Sequence, residues 1–202
     1  ANFDLSSLTK LSYGGAPMPV GLMEKLLGVF PRVTFSQGYG MTEVAPVMSV
    51  LAAPAHRPAG GRYSKLSSVG RPMPYCDVRI VTPEDEPLRR GETGEIVVRG
   101  PNVMNGYWNK PAETEAALRG GFYHTGDAGW MDADGYLHLA GRTKEMIITG
   151  GENVYPIETE NCLSQHVAVA SAAVLGLPDE QWGERVVAAV TLKREVSAKD
   201  LI

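Results

Sequence analysis

The stretch GRTKEMIITGGENVYP, residues 141–156, decides how the rest of the chain is read. Two cations two residues apart, Arg142 and Lys144, precede the apolar run Met146, Ile147 and Ile148. Two adjacent glycines and an acid–amide pair, Glu152 and Asn153, follow. The apolar run predicts a short strand over EMIITG, and Gly150-Gly151 a bare turn where backbone can approach another group closely. Pro156 predicts the start of a helix through Cys162 and Leu163, because a proline there gives up an N–H that the first turn leaves unpaired anyway. VASAAVLG and ERVVAAVTL read as two further strands. A charged joint therefore opens a β-α-β-β unit.

On the N-terminal side the grammar differs. From Val69 to Leu139, CDVRIVTP and GEIVVRG alternate apolar and polar residues, with Val78 and Ile80 in one and Ile96 and Val98 in the other. A turn-like PEDEPLRRGET lies between them, and GWMDADGYLHL predicts another hairpin turning at Asp134-Gly135. This is antiparallel β, expected as a small barrel or folded sheet. Further upstream, VGLMEKLLGVF carries apolar residues at 22, 23, 26, 27 and 30, a helical spacing closed by Pro31, and RVTFSQ reads as a strand. That strand runs into Gly38-Tyr39-Gly40, a loop at the edge of an α/β sheet, where such sheets bind ligands. Residues 52 to 68, rich in Ala, Pro, Gly and Ser, read as a loop.

Composition narrows the classes. With 202 residues, 44% apolar and 21% charged, the chain is an ordinary soluble globular protein of one good-sized or two small domains. Its net charge of -4 argues against nucleic-acid binding, which needs a basic surface. No apolar run approaches the ~20 residues that span a bilayer, and ANFDLSSLTK lacks the apolar centre of a signal peptide. Cys76 and Cys162 are too few and too separated for a disulfide framework or a zinc site, so they read as free thiols in a reducing, cytoplasmic compartment. Ser197 and Asp200 resemble a helix start with only Leu201 and Ile202 behind it, and no initiator Met is present. The chain is therefore expected to be a piece of something longer or a processed product.

Four motifs bear on chemistry. In SYGGAPMP a Gly-Gly pair permits close backbone approach, although a plain turn before a helix fits it as simply. SQGYGMTE combines bare backbone, a stacking face, a hydroxyl donor and a carboxylate able to hold Mg²⁺, but it is neither a dinucleotide fingerprint nor a Walker loop. YHTGDAGW places Asp127 in a glycine-bounded turn where it can accept from paired ribose hydroxyls; taken alone, an ordinary β-turn Asp describes it better, and His124, with no Ser or Cys partner in view, reads as structural. MDADGY hints at a calcium loop, but aligning it puts Trp130 at the first ligand position and Gly141 where the bidentate Glu belongs, so it reads as the hairpin turn.

Taken in order, GGAPMP, QGYGMTE, YHTGD, GRTKEMIITGGENVYPIE and GLPDEQWGE resemble the acyl-adenylate-forming superfamily, which contains acyl-CoA synthetases, peptide-synthetase adenylation domains and firefly-type luciferases. Each motif alone is modest; five in order along nearly the whole chain are specific. GGENVYP and LPDEQWGE look like the acyl-CoA ligase branch. The resemblance implies a mixed α/β and α+β fold: the tail of a doubly wound α/β subdomain over 1–60, a distorted antiparallel β-barrel over 61–141, and a hinge with a truncated small α+β lid domain over 142–202. It implies that a carboxylic acid attacks the α-phosphate of ATP to give acyl-AMP and pyrophosphate, and that the thiol of CoA then displaces AMP.

Roles follow position by position. Gly15, Ala16 and Pro17 resemble the segment along the adenine and acyl pocket, and Gly38, Tyr39, Gly40 and Met41 the nucleotide loop, with Tyr39 stacked on adenine. Thr42 resembles the α-phosphate contact and Glu43 the Mg²⁺ carboxylate. Asp127 resembles the ribose-binding acid, Arg142 the cation that reaches ribose or phosphate, and Lys144 the hinge. Gly150, Gly151 and Glu152 resemble the turn that meets the pantetheine arm of CoA. The family's Ser/Thr/Gly-rich phosphate loop lies upstream of this sequence and its adenylating lysine downstream; neither Lys193 nor Lys199 takes that role. The piece alone is therefore expected to be inactive, and to self-associate through apolar surface that truncation lays bare. Two alternatives remain open: a domain that loads a carrier-protein thiol, and a non-catalytic remnant that binds nucleotide or a partner. Gly15, Gly38 and Met41 would touch the acid and suit an aliphatic or an aryl one.

Overall fold

Parallel pairing of two short strands organises the N-terminal part of the chain. In the computed structural model, which describes residues 3–16, 18–57 and 65–197, β1 (Lys10–Gly14), α1 (Val20–Val29) and β2 (Thr34–Tyr39) form a β-α-β unit. The two strands run parallel, in register from Lys10↔Thr34 to Gly14↔Gly38. β2 begins two residues later than its sequence suggests, because Val33 N–H turns back to the Phe30 carbonyl before Thr34 N–H reaches Thr9. α1 lays Met23 against Val33, Phe35 and Leu66, which form one buried cluster. β3 (Ser49–Leu51) and β4 (Arg71–Pro72) extend the sheet antiparallel to the order β1-β2-β3-β4.

The expected β-rich middle segment is present. β5 (Asp77–Val81), β6 (Gly94–Arg99), β7 (Tyr123–Met131) and β8 (Leu137–Arg142) are hydrogen-bonded in that order, and α2 (Pro111–Ala117) lies between β6 and β7 in sequence. The sheet is open rather than a closed barrel. At about 4.8 Å per strand, four strands would close to a diameter of ~6 Å, less than the ~10 Å that facing sheets need for their side chains. Ile80, Ile96 and Val98 join Val44, Met48, Val69, Tyr123 and Leu137 in the largest core cluster. β6 departs from strict alternation: Val97 is as buried as its neighbours, so this central strand is covered on both faces.

The third sheet follows the charged joint. β9 (Ile147–Thr149), β10 (Glu152–Val154), α3 (Pro156–Ser164), β11 (Val169–Asp179) and β12 (Gly183–Leu192) give the sheet order β10-β9-β12-β11, with α3 packed against β11. Pro156 is the first helical residue, as its sequence position implies. β10 is an additional strand. Gly150 and Gly151, at φ +59° and +85°, form a two-residue loop between the paired Thr149 and Glu152, the positive-φ turn that matches strand twist.

The chain divides into two compact units, Ala1–Thr125 with Gly129–Leu139, and Gly126–Ala128 with Ala140–Ile202. Among the described residues no helix is long and apolar enough to cross a membrane. Pro17, Lys199 and the helix start at Ser197–Asp200, beyond Ser197 itself, lie outside the described residues.

Candidate functional site

In the first unit the site is built where β1 and β2 end. Their last paired residues are Gly14 and Gly38, so the two following loops leave the same edge of the sheet, the edge at which parallel sheets bind ligands. A Cβ on Gly14 would sit 2.4 Å from the Gly38 carbonyl oxygen, so the strands can close to this distance only because that side chain is absent. Gly15 has φ +82° with open space around its Cβ position, and Ala16 is exposed beside it. Below them Tyr13 donates to His56 Nε2 (2.9 Å), while His56 Nδ1 donates to the Ala52 carbonyl (3.1 Å). Burial pushes the Tyr13 phenol up to about 12 and lowers the fully buried His56, so the pair is a neutral brace.

β2 continues through Gly38 and Tyr39, which the sequence reads as loop, because both pair with β3; the second loop starts at Gly40 and leads to Glu43. Tyr39 pairs with Ser49 and, with Met41, packs its apolar surface on the core. A Cβ on Gly40 would meet the Pro46 carbonyl at 2.2 Å, so the chain folds tightly back there. Thr42 opens a single 3₁₀ turn, Thr42–Val44, and is exposed. Glu43 is half-buried, and its Oε1 accepts from the Tyr107 hydroxyl at 2.9 Å. Among the described residues no cation lies within ion-pair distance of Glu43, and no cluster of three metal-ligating side chains occurs. One anchored carboxylate fits a Mg²⁺ ion that takes its remaining ligands from phosphates and water.

The second unit holds the other assigned residues. Asp127, 8% exposed, lies on the segment that joins this unit, and Arg142 Nε contacts its Oδ1 at 3.0 Å. Thr143 Oγ1 donates to the Gly126 carbonyl, tying the same two stretches together. Lys144 is exposed in the 3₁₀ turn Thr143–Glu145. The Gly150-Gly151 turn is held by Gly150 N–H on the Trp182 carbonyl (2.8 Å), and Trp182 lies so close that a Cβ on Gly150 would meet its ring at 2.9 Å. Glu152 is exposed on β10.

Other motifs resolve into structure. His124 meets Glu95 Oε2 at 2.9 Å beside Asp85 and Arg119, a charged cluster with no nucleophile in it. Asp132 and Asp134 of the apparent calcium loop both bind Lys65 Nζ, and Gly135, at φ +81°, completes the hairpin turn. Tyr107 was not legible as a site residue. Its only signal is the GYW triplet in PNVMNGYWN, and its partner lies 64 positions away.

A family model described as AMP-binding enzyme matches residues 1–108, and one described as AMP-binding enzyme C-terminal domain matches residues 158–202. A feruloyl-CoA synthase of Amycolatopsis is 49% identical over 90% of this chain and 35% of its own length. An amide bond synthetase of Marinactinospora thermotolerans superposes with a TM-score of 0.89 at 38% identity, over 98% of this chain and 39% of that one. The o-succinylbenzoate CoA synthetase of Bacillus subtilis, solved with ATP and magnesium ion, gives 0.84 at 36% identity, over 96% of this chain and 39% of that one. The chain thus spans about a third of the length of the curated relatives it matches.

Proposed function

The chain belongs to the AMP-binding enzyme family, and we propose that the protein containing it is an acid–CoA ligase that forms AMP. The observation that carries this reading is the pair of abutting strand ends, Gly14 and Gly38, followed at once by an exposed Thr42 and an anchored Glu43. Bare backbone there accepts a flat base against Tyr39, and the Thr42 hydroxyl donates to an α-phosphate. Glu43 would hold Mg²⁺, which when bound neutralises charge on the phosphates. Asp127 accepts from ribose hydroxyls, with Arg142 supplying positive charge beside it. A carboxylate then attacks the α-phosphorus, pyrophosphate leaves, and the CoA thiolate attacks the acyl carbonyl with AMP as leaving group. Lys144 is the pivot between the two steps, and Gly150, Gly151 and Glu152 meet the CoA side. The three-part division at 1–60, 61–141 and 142–202 belongs to the same proposal.

The likeness to an amide bond synthetase favours a second reading, in which an amine rather than a thiol takes the acyl group. Incubating the full-length protein with ATP, Mg²⁺ and a panel of aliphatic and aryl acids separates them. AMP release with thioester formation on CoA supports the ligase; AMP release only with an amine supports the second reading; ADP release contradicts both.

A further inference from the structure

The Thr42–Val44 turn is braced from one loop, residues 100–110, by three separate hydrogen bonds. Asn102 Nδ2 donates to the Val44 carbonyl at 2.7 Å, Met104 N–H to the Glu43 carbonyl at 2.8 Å, and the Tyr107 hydroxyl to Glu43 Oε1 at 2.9 Å. The first two fix the backbone of the turn; only the third touches the carboxylate.

The brace is itself supported. Tyr107 N–H donates to Thr114 Oγ1 at 2.9 Å, and that hydroxyl donates to the Lys110 carbonyl at 2.7 Å. Gly106, at φ +147°, lets the chain pass Thr114, whose methyl would lie 2.6 Å from a Cβ there. Among the described residues this phenol is the hydrogen-bond partner of the Glu43 carboxylate, and it engages one of the two oxygens. A neutral donor on one oxygen orients a carboxylate without cancelling its charge, which a lysine or arginine would do.

We propose that Tyr107 is a positioning residue for a divalent cation at Glu43: it fixes Oε1 so that Oε2 points to the metal carried by a nucleotide triphosphate. This rests on the reading of Glu43 as the metal carboxylate. Loss of such an outer-sphere partner typically weakens metal binding about ten- to hundredfold.

The test measures binding, not turnover. Full-length protein, Tyr107→Phe, Glu43→Gln and the double variant are titrated with ATP in EDTA and with Mn²⁺·ATP, following bound Mn²⁺ by electron paramagnetic resonance. Tyr107→Phe is expected to weaken Mn²⁺·ATP about tenfold or more and to leave ATP in EDTA unchanged. The double variant is expected to match Glu43→Gln, since the phenol acts only through the carboxylate. If Glu43→Gln loses the metal preference and Tyr107→Phe keeps it, the positioning role is wrong while the function stands. Equal weakening with and without metal would make Tyr107 merely structural and overturn the proposal. If neither variant alters the metal preference, the assignment of Glu43 fails and takes the proposal with it.

Discussion

Substituting Gly14 with Ala tests whether close contact of the two strand ends is what builds the nucleotide edge. The new Cβ would lie 2.4 Å from the Gly38 carbonyl oxygen, whereas ordinary contact begins at 3.4 Å. The strands must therefore part by about 1 Å at the point where both loops leave, and the obstacle is backbone, which cannot swing aside. Overpacking of this kind costs about 1–3 kcal/mol. Two neighbouring substitutions separate that steric effect from others. Gly15 has nothing within 4 Å but φ +82°, so Gly15→Ala meets only the left-handed penalty of about 1–2 kcal/mol. Gly28 is exposed near the end of α1, also with nothing within 4 Å, so Gly28→Ala should stabilise by about 0.5–1 kcal/mol. Urea unfolding of each variant, followed by far-ultraviolet circular dichroism, gives the three differences. Nucleotide affinity of the full-length protein should fall for Gly14→Ala and hold for Gly28→Ala. A Gly14→Ala protein as stable as the wild type, with unchanged nucleotide affinity, would refute the reasoning.

Burial alone would raise the Asp132 carboxyl, but the Lys65 ammonium, the Tyr136 N–H and His138 outweigh it and hold it at about 2, against an ordinary 3.8. A depressed carboxylate contributes stability that is complete above pH 4 and is lost as pH falls towards 2, about 1–2 kcal/mol here. Asp132→Asn should lose that amount at pH 7, and urea midpoints should show a shallower fall than wild type between pH 4 and pH 2. His56 is lowered by burial, so the unfolded chain binds its proton first; its contribution is present above pH 6.5 and drains away below it. His56→Gln should flatten the stability profile from pH 7 to pH 5, read by thermal melts. Trp182, Ile148 and Val167 leave large apolar surfaces exposed in the second unit. Sedimentation velocity of the 202-residue chain should then show concentration-dependent association, and a strict monomer at all concentrations would contradict this. The same chain should form no acyl-AMP, since the phosphate loop and adenylating lysine that the family resemblance implies are not in its sequence.

What could be read from the sequence was local. The 3.6-residue spacing of α1, the alternation in β5 and β6, Pro156 at the head of α3 and the Asp134-Gly135 turn each lie within a dozen residues. β1 carries no strand pattern of its own, because KLSYG is largely polar and borrows its order from parallel pairing with β2, 24 residues on. β10 is Glu-Asn-Val, in which two of three residues disfavour strands, and it is held in place by the two-glycine turn before it. Val97 faces what should be an outer surface and is nonetheless buried, because alternation cannot register cover on the second face. The site followed the same divide. Thr42 and Glu43 sit in one short motif, but the phenol that anchors Glu43 reaches it across 64 positions, and no periodicity records a contact of that range. Lys65 and the two aspartates it binds are separated just as widely, which is why a hairpin turn could resemble a calcium loop.

The most direct test of the central claim is exchange of labelled pyrophosphate into ATP by the full-length protein, with Mg²⁺ and a carboxylic acid but without CoA. Acyl-AMP formation precedes thiol transfer in this account, so exchange should require the acid, need no CoA, and fall sharply in Glu43→Gln. Exchange that is absent for every acid while CoA is omitted, or that persists undiminished in Glu43→Gln, would contradict it.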